Sequence, residues 1–161
     1  MKKPHTIYLE SAHWSCLPNL VACSRIYHFL IKNGHQIISN PSQADFIIIG
    51  TCGALKNIED KSIALYHKYH PLKKKNAIII MYGCLTKTND KRLQGLDIYP
   101  VGNYEDDKLD ELFFTKIKFE NFKPTCDEET KEKLIDGRLT HVFLRSYAFI
   151  ATKMFLPFSK K

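Results

Sequence analysis

Apolar residues follow two rhythms along this chain. Continuous apolar runs, Phe46–Ile49 within Ala44–Cys52 and again Ala77–Tyr82, have the length of strands buried on both faces. Between and before them, apolar positions recur at helical spacing. Leu20, Val21, Ile26, Phe29 and Leu30 form one such set, and Ile58, Ile63, Ala64 and Leu65 form a second buried stripe. In chain order the pattern predicts a short strand over Thr6–Leu9, a loop over Glu10–Pro18, and a helix from Asn19 or Leu20 to about Lys32. Asn33-Gly34 stops that helix, since glycine takes the left-handed conformation at no steric cost.

A second strand is predicted over Gln36–Ser39, a turn at Asn40-Pro41-Ser42, and a central strand over Asp45–Gly50. A helix over Asn57–His70 and a polar link, Lys73–Asn76, lead to a strand at Ala77–Tyr82. A short helix over Thr88–Gly95, a strand over Asp97–Val101 and a helix over Glu105–Phe114, acidic in its first turn, complete the series. Strands alternating with helices through short links make βαβ units. The expected fold class is α/β, a small doubly wound and mostly parallel sheet, Rossmann-like or flavodoxin-like, with a C-terminal extension. The spacing leaves the strand order open.

Past Phe114 the pattern changes. Residues Thr115–Gly137 are charged apart from Ile117, Phe119 and Phe122, and read as a loose connector with one short helix at Glu128–Ile135. Leu139–Phe158 is apolar and aromatic, and such a stretch needs a surface to cover it, either a partner or the domain itself. The predicted organisation is therefore a domain at 1–114, a charged connector at 115–138 and an apolar, aromatic tail at 139–161.

Composition changes this picture little. The chain has 161 residues, 44% hydrophobic and 25% charged, as an ordinary globular protein has. No apolar run approaches the roughly 20 residues of a membrane helix, and no apolar h-region follows Lys2-Lys3, so a cytoplasmic protein without membrane contact is expected. The formal net charge of +7 favours an anionic partner such as RNA, although lysine-rich surfaces are common and Lys73–Lys75 reads as a solvated loop. With no G-x-G-x-x-G and no Walker A sequence, nothing in the chain is built to cradle a phosphate.

The chemistry lies in the cysteines. There are five, Cys16, Cys23, Cys52, Cys84 and Cys126, with no C-x-x-C pair among them. An odd count without a signal sequence argues for metal or thiol chemistry over a disulfide framework. Cys16, Cys52 and Cys84 each follow a predicted strand, and in a doubly wound sheet the carboxyl ends of the strands share the edge where ligands bind. Gly50, Gly53 and Gly83 allow close backbone approach there. Three thiolates around one point suit a soft metal or an iron–sulfur cluster, whereas a structural zinc site closes its tetrahedron with a fourth ligand. A zinc site would need one of His13, His28 or His35 beside the three cysteines, and His13 lies nearest to Cys16 in sequence. Cys23 reads as core, and His67 and His70 as a wet helix face.

Cys16-Leu17-Pro18-Asn19, then Gly50-Thr51-Cys52, then Tyr82-Gly83-Cys84-Leu85 resemble the amino-terminal domain of the radical-SAM methylthiotransferases, whose pattern there is roughly GC-x-x-N, NTC and GC. The resemblance covers about Thr6–Phe114. It implies that Cys16, Cys52 and Cys84 hold a 4Fe–4S cluster whose open iron presents sulfur for transfer to a tRNA or a ribosomal protein. Asn19, Thr51, Gly53 and Gly83 would be the supporting loop residues, and none of these positions would itself be catalytic. Ser15, Gly50, Ala22 and Cys23 stand where the family has Gly, Asn, Asp and Ser.

The family's C-x-x-x-C-x-x-C triplet does not occur, so no S-adenosylmethionine site is expected in this chain and it is not catalytically self-sufficient. Arg138–Ile150 resembles the lead-in to the absent radical-SAM barrel, which makes Val142–Phe158 the expected docking segment for a catalytic partner chain. Tail aromatics and basic charge also suit tRNA contact. The competing expectation is a degenerate α/β scaffold that keeps the fold without the enzyme chemistry.

Overall fold

The computed structural model describes residues 4–13 and 16–122. Five strands form one sheet: β1 (Thr6–Ser11), β2 (Gln36–Ile37), β3 (Phe46–Thr51), β4 (Ile78–Gly83) and β5 (Tyr99–Val101). Every pairing is parallel and the order is β2-β1-β3-β4-β5. That is the flavodoxin-like arrangement, with the order reversing between β1 and β3.

The helices α1 (Leu17–Lys32), α2 (Lys56–Tyr69), α3 (Leu85–Thr88) and α4 (Asp106–Phe113) supply the cover. All six residues of β3 are buried, as a strand covered on both faces must be. Successive side chains point to opposite faces. Phe46 and Ile48 join one core with Ile26, Phe29, Leu109 and Phe113 of α1 and α4. Ile47 and Ile49 join the other with Tyr66, Tyr69, Leu85 and Leu93. A run that shows no alternation in sequence thus feeds two cores.

Two predicted features shift. The buried stripe of α2 consists of Ile58, Glu59, Ser62, Tyr66 and Tyr69, with Ala64 exposed. Polar and aromatic residues take the inner face because they find partners there. Ser62 donates to the Ile58 carbonyl at 3.1 Å, and Glu59 accepts from Arg92 at 2.7 Å. The helix expected over Thr88–Gly95 begins immediately after Cys84, as α3, and gives way to a 3-10 turn over Asp90–Leu93. Asn89, at φ −151, breaks the two apart.

Beyond Phe114 the chain stays on the body as far as Phe122. Phe119 is fully buried with its ring 4.9 Å from that of Phe29, and Arg25 donates to the carbonyls of Phe119 and Phe122 at 2.9 and 2.6 Å. The sequence reading places residues 115–122 in a connector, and what holds them here is these aromatic contacts and the bonds from Arg25. The predicted helix Glu128–Ile135, Cys126, and the segments Arg138–Ile150 and Val142–Phe158 lie outside the described residues, as does Ser15. Among the described residues no helix is long and apolar enough to cross a membrane.

Candidate metal centre

The sheet register builds the site. Ser11 pairs with Gly50, Gly50 with Tyr82, and Thr51 with Gly83. One residue further along, β3 and β4 deliver Cys52 and Cys84 side by side, where neighbouring strands are roughly 5 Å apart. Cys16 comes from β1 on the other side of β3, after a turn closed by its own amide donating to the His13 carbonyl at 3.1 Å. All three cysteines therefore lie at the carboxyl edge of the sheet, around the point where its strand order reverses.

Cys16 is the N-cap of α1 with extended dihedrals, φ −88 and ψ 106, and Pro18 follows in the first turn, where a missing N–H costs nothing. Cys84 is the N-cap of α3. Both thiols thus sit at helix starts, where the backbone favours negative charge. Cys52 is buried, Cys16 and Cys84 are half-buried, and all three are free thiols. Burial first, and then the neighbouring Cys52, push the Cys84 thiol above its ordinary range, while the Gly53 amide, donating to Cys84 Sγ at 2.9 Å, opposes that rise.

An imidazole nitrogen of His13 and the Sγ atoms of Cys16 and Cys52 lie within 4.8 Å of one another. Of the three histidines considered for a zinc site, His13 is the one in this group. His35 stacks on His5 and packs against Phe113, and the His28 ring lies against Tyr27. His13 Nδ1 is buried without a hydrogen-bond partner in the structure, an arrangement that costs free energy unless something fills it.

The supporting residues each have a defined place. Thr51 Oγ1 donates to the Tyr82 carbonyl at 3.0 Å, tying β3 to β4 one residue before Cys52 and two before Cys84. Gly83 holds φ +129, and a Cβ there would meet the Thr51 carbonyl oxygen at 2.4 Å. At Gly53 a Cβ would collide with Thr88 Oγ1 at 2.0 Å. Asn19 accepts from Cys23 Sγ at 3.4 Å through Oδ1, leaving its buried Nδ2 unpartnered.

Two of the sequence departures meet in space. A Cβ at Gly50 would fall 2.7 Å from Cys23 Sγ and 2.6 Å from Asn19 Oδ1. The thiol of Cys23 fills the room that the missing side chain leaves. It is fully enclosed, and burial pushes it up to about 12, so it is a core group rather than a reactive one.

A cavity of about 30 Å³ opens between these elements, lined by Cys16, Asn19, Thr51, Tyr82, Cys84 and Asn103 among others. Asn103 was not legible in the sequence. Its signal, a polar residue just past a strand, recurs throughout the chain. His13, Cys16 and Cys52 make the close group and Cys84 stands outside it, while Cys16 and Cys84 line the cavity without Cys52 or His13. Thiols and an imidazole are donors that suit a soft metal or an iron–sulfur cluster.

Comparison with known proteins identifies the family of this chain. The family described as Uncharacterized protein family UPF0004 matches residues 8–99, a stretch that contains Cys16, Cys52 and Cys84. Among curated proteins, the chain is similar to "Ribosomal protein uS12 methylthiotransferase RimO" of Sulfurovum sp. (strain NBC37-1), at 31% identity over 89% of this chain and 32% of the relative. It is similar to the protein of the same name from Campylobacter jejuni (serotype O:23/36, strain 81-176), at 28% identity over 86% of this chain and 31% of the relative. A third relative of that name, from Aliarcobacter butzleri, is 28% identical over 89% of this chain and 32% of its own length. The chain thus spans about a third of the length of these relatives. No solved structure matches it. With 92 of its 161 residues inside the family's match, the chain belongs to Uncharacterized protein family UPF0004, related to the methylthiotransferases.

Proposed function

We propose that this domain holds a 4Fe–4S cluster on Cys16, Cys52 and Cys84 and serves as the sulfur-presenting part of a methylthiotransferase. The observation that carries the reading is the convergence of the three cysteine-bearing strand ends on one edge. Cys52 and Cys84 follow paired residues of β3 and β4, and Cys16 Sγ lies within 4.8 Å of Cys52 Sγ. When bound, such a cluster supplies a sulfur-binding iron that the protein's cysteines leave open. The chain's own residues bind and shape. The Gly53 amide donates to the Cys84 sulfur, Gly83 lets β4 approach β3 closely, and the buried Nδ2 of Asn19 offers a donor at the cavity wall.

The proposed substrate is a ribosomal protein, the class named in the relatives' descriptions. A tRNA is the other class that the resemblance implies. The C-x-x-x-C-x-x-C triplet does not occur in these 161 residues, so the radical step belongs to a segment or chain carrying it. The aromatic stretch Val142–Phe158 is the proposed docking segment for that chain, at a cytoplasmic location.

The test is iron and acid-labile sulfide per chain after anaerobic reconstitution, on the parent and on Cys52→Ala. About four of each in the parent and a collapse in the variant support the reading. A colourless parent carrying one tightly held zinc would replace the cluster by a single ion. The close spacing of His13, Cys16 and Cys52 makes this the second reading, since one tetrahedral zinc takes thiolates at about 2.3 Å and imidazole at about 2.0 Å. A parent with neither metal would leave a scaffold domain.

A further inference from the structure

Resting on the cluster reading above, we infer that Cys23 is a positioning residue for this centre: its thiol holds the Asn19 carboxamide so that Nδ2 faces the sulfur atoms there as a hydrogen-bond donor. Asn19 and Cys23 stand one turn apart on α1, the helix that Cys16 caps, so their side chains share a face. Cys23 Sγ donates to Asn19 Oδ1 at 3.4 Å. At the other end of the same amide, Nδ2 is buried and has no hydrogen-bond partner in the structure. Asn19 is 8% exposed and lines the cavity of about 30 Å³ together with Cys16 and Cys84.

The surroundings of the amide decide which of its ends points inward. Cys23 is 1% exposed, and a thiol enclosed in this way keeps its proton, so it has a hydrogen to donate and needs an acceptor. Turned over, the amide would leave that hydrogen unpaired and would aim a carbonyl oxygen at electron-rich sulfur. Room matters as well. A Cβ at Gly50 would lie 2.6 Å from Asn19 Oδ1 and 2.7 Å from Cys23 Sγ, so the pair depends on position 50 carrying no side chain.

A hydrogen bond to sulfur eases the addition of negative charge there, so an amide donor at this wall raises the reduction potential of a bound cluster. Asn19 supplies the donor, and Cys23 supplies its direction.

The experiment uses the full chain, reconstituted anaerobically, as parent, Asn19→Leu, Cys23→Ala, Cys23→Ser and the double variant of Asn19→Leu with Cys23→Ala. Iron and sulfide are measured on each, and the midpoint potential is read by EPR-monitored redox titration. With about four iron and four sulfide per chain, Asn19→Leu and Cys23→Ala are expected to titrate below the parent. The double variant should fall no further than Asn19→Leu alone, and Cys23→Ser, whose hydroxyl can donate to the same oxygen, should keep the parent's potential. A loaded Cys23→Ala at the parent's potential, or one whose shift adds to that of Asn19→Leu, overturns the role of Cys23 and leaves the cluster reading standing. The parent made with asparagine ¹⁵N-labelled in its side chain reports without any variant. A weak ¹⁵N coupling to the reduced cluster in pulsed EPR is expected, and a loaded parent lacking it overturns the inference alone. No iron or sulfide in any sample overturns both.

Discussion

The amide of Gly53 donates to Cys84 Sγ at 2.9 Å, so the loop leaving β3 is fastened to the cysteine at the end of β4. This bond joins two cysteine-bearing loops before any metal is considered, and it depends on the two strands lying at the right separation. Gly83 sets that separation. Replacing it by alanine introduces a left-handed non-glycine residue and drives a Cβ to 2.4 Å from the Thr51 carbonyl. Gly83→Ala is expected to cost about 3 kcal/mol, from strain and close contact together, read as a lower urea midpoint at unchanged slope. An unchanged midpoint would show that the strand ends tolerate the side chain.

Phe119 closes the core under α1. Its ring is 4.9 Å from Phe29, and the Arg25 guanidinium lies 4.1 Å above it. Phe119→Ala is expected to destabilise the domain by about 3–5 kcal/mol, since a fully buried ring is removed and a cavity remains. Ending the chain at Phe114 should have an effect at least as large. Thermal unfolding of both variants checks this, and a truncated chain as stable as the parent would place the domain's end at α4.

Asp45 ties the start of β3 to β1, accepting from the Thr6 amide and hydroxyl, both at 2.9 Å, with Lys74 also at 2.9 Å. The Thr6 amide, then Lys74, hold its carboxyl down to about 2. A depressed folded value means that the stabilisation is present above the unfolded value near pH 4 and is lost as pH falls toward 2. The side chain is partly exposed, so the contribution is on the order of 1 kcal/mol after solvent screening. Asp45→Asn should therefore flatten the acid limb of the stability curve between about pH 4 and pH 2, measured by denaturant unfolding across that range.

Cys23 should be the least reactive of the described thiols. It is fully buried and held up to about 12, so it stays protonated throughout the neutral range. Iodoacetamide labelling of the metal-free protein at pH 8, followed by mass spectrometry, should modify Cys16 and Cys84 well before Cys23. Labelling of Cys23 at a comparable rate would mean that α1 opens away from Gly50.

The sequence determined much of this protein locally. The apolar runs ending at Gly50-Thr51-Cys52 and Gly83-Cys84 are buried strands because β-branched residues with no polar alternation have no wet face to present. The strand–helix alternation fixed a parallel sheet, and cysteines at three strand ends pointed to one edge of it. Tertiary structure alone decided the rest, because it depends on residues far apart in the chain. The β2-β1-β3-β4-β5 order places Cys16 and Cys84 on either side of Cys52, a relation that no local pattern encodes. The inner face of α2 went to Ser62 and Tyr66 in place of Ala64, since buried polar groups there found partners that hydrophobicity alone does not reveal. Packing brought Cys23 against Gly50, and the turn closed by the Cys16 amide selected His13 from the candidate histidines.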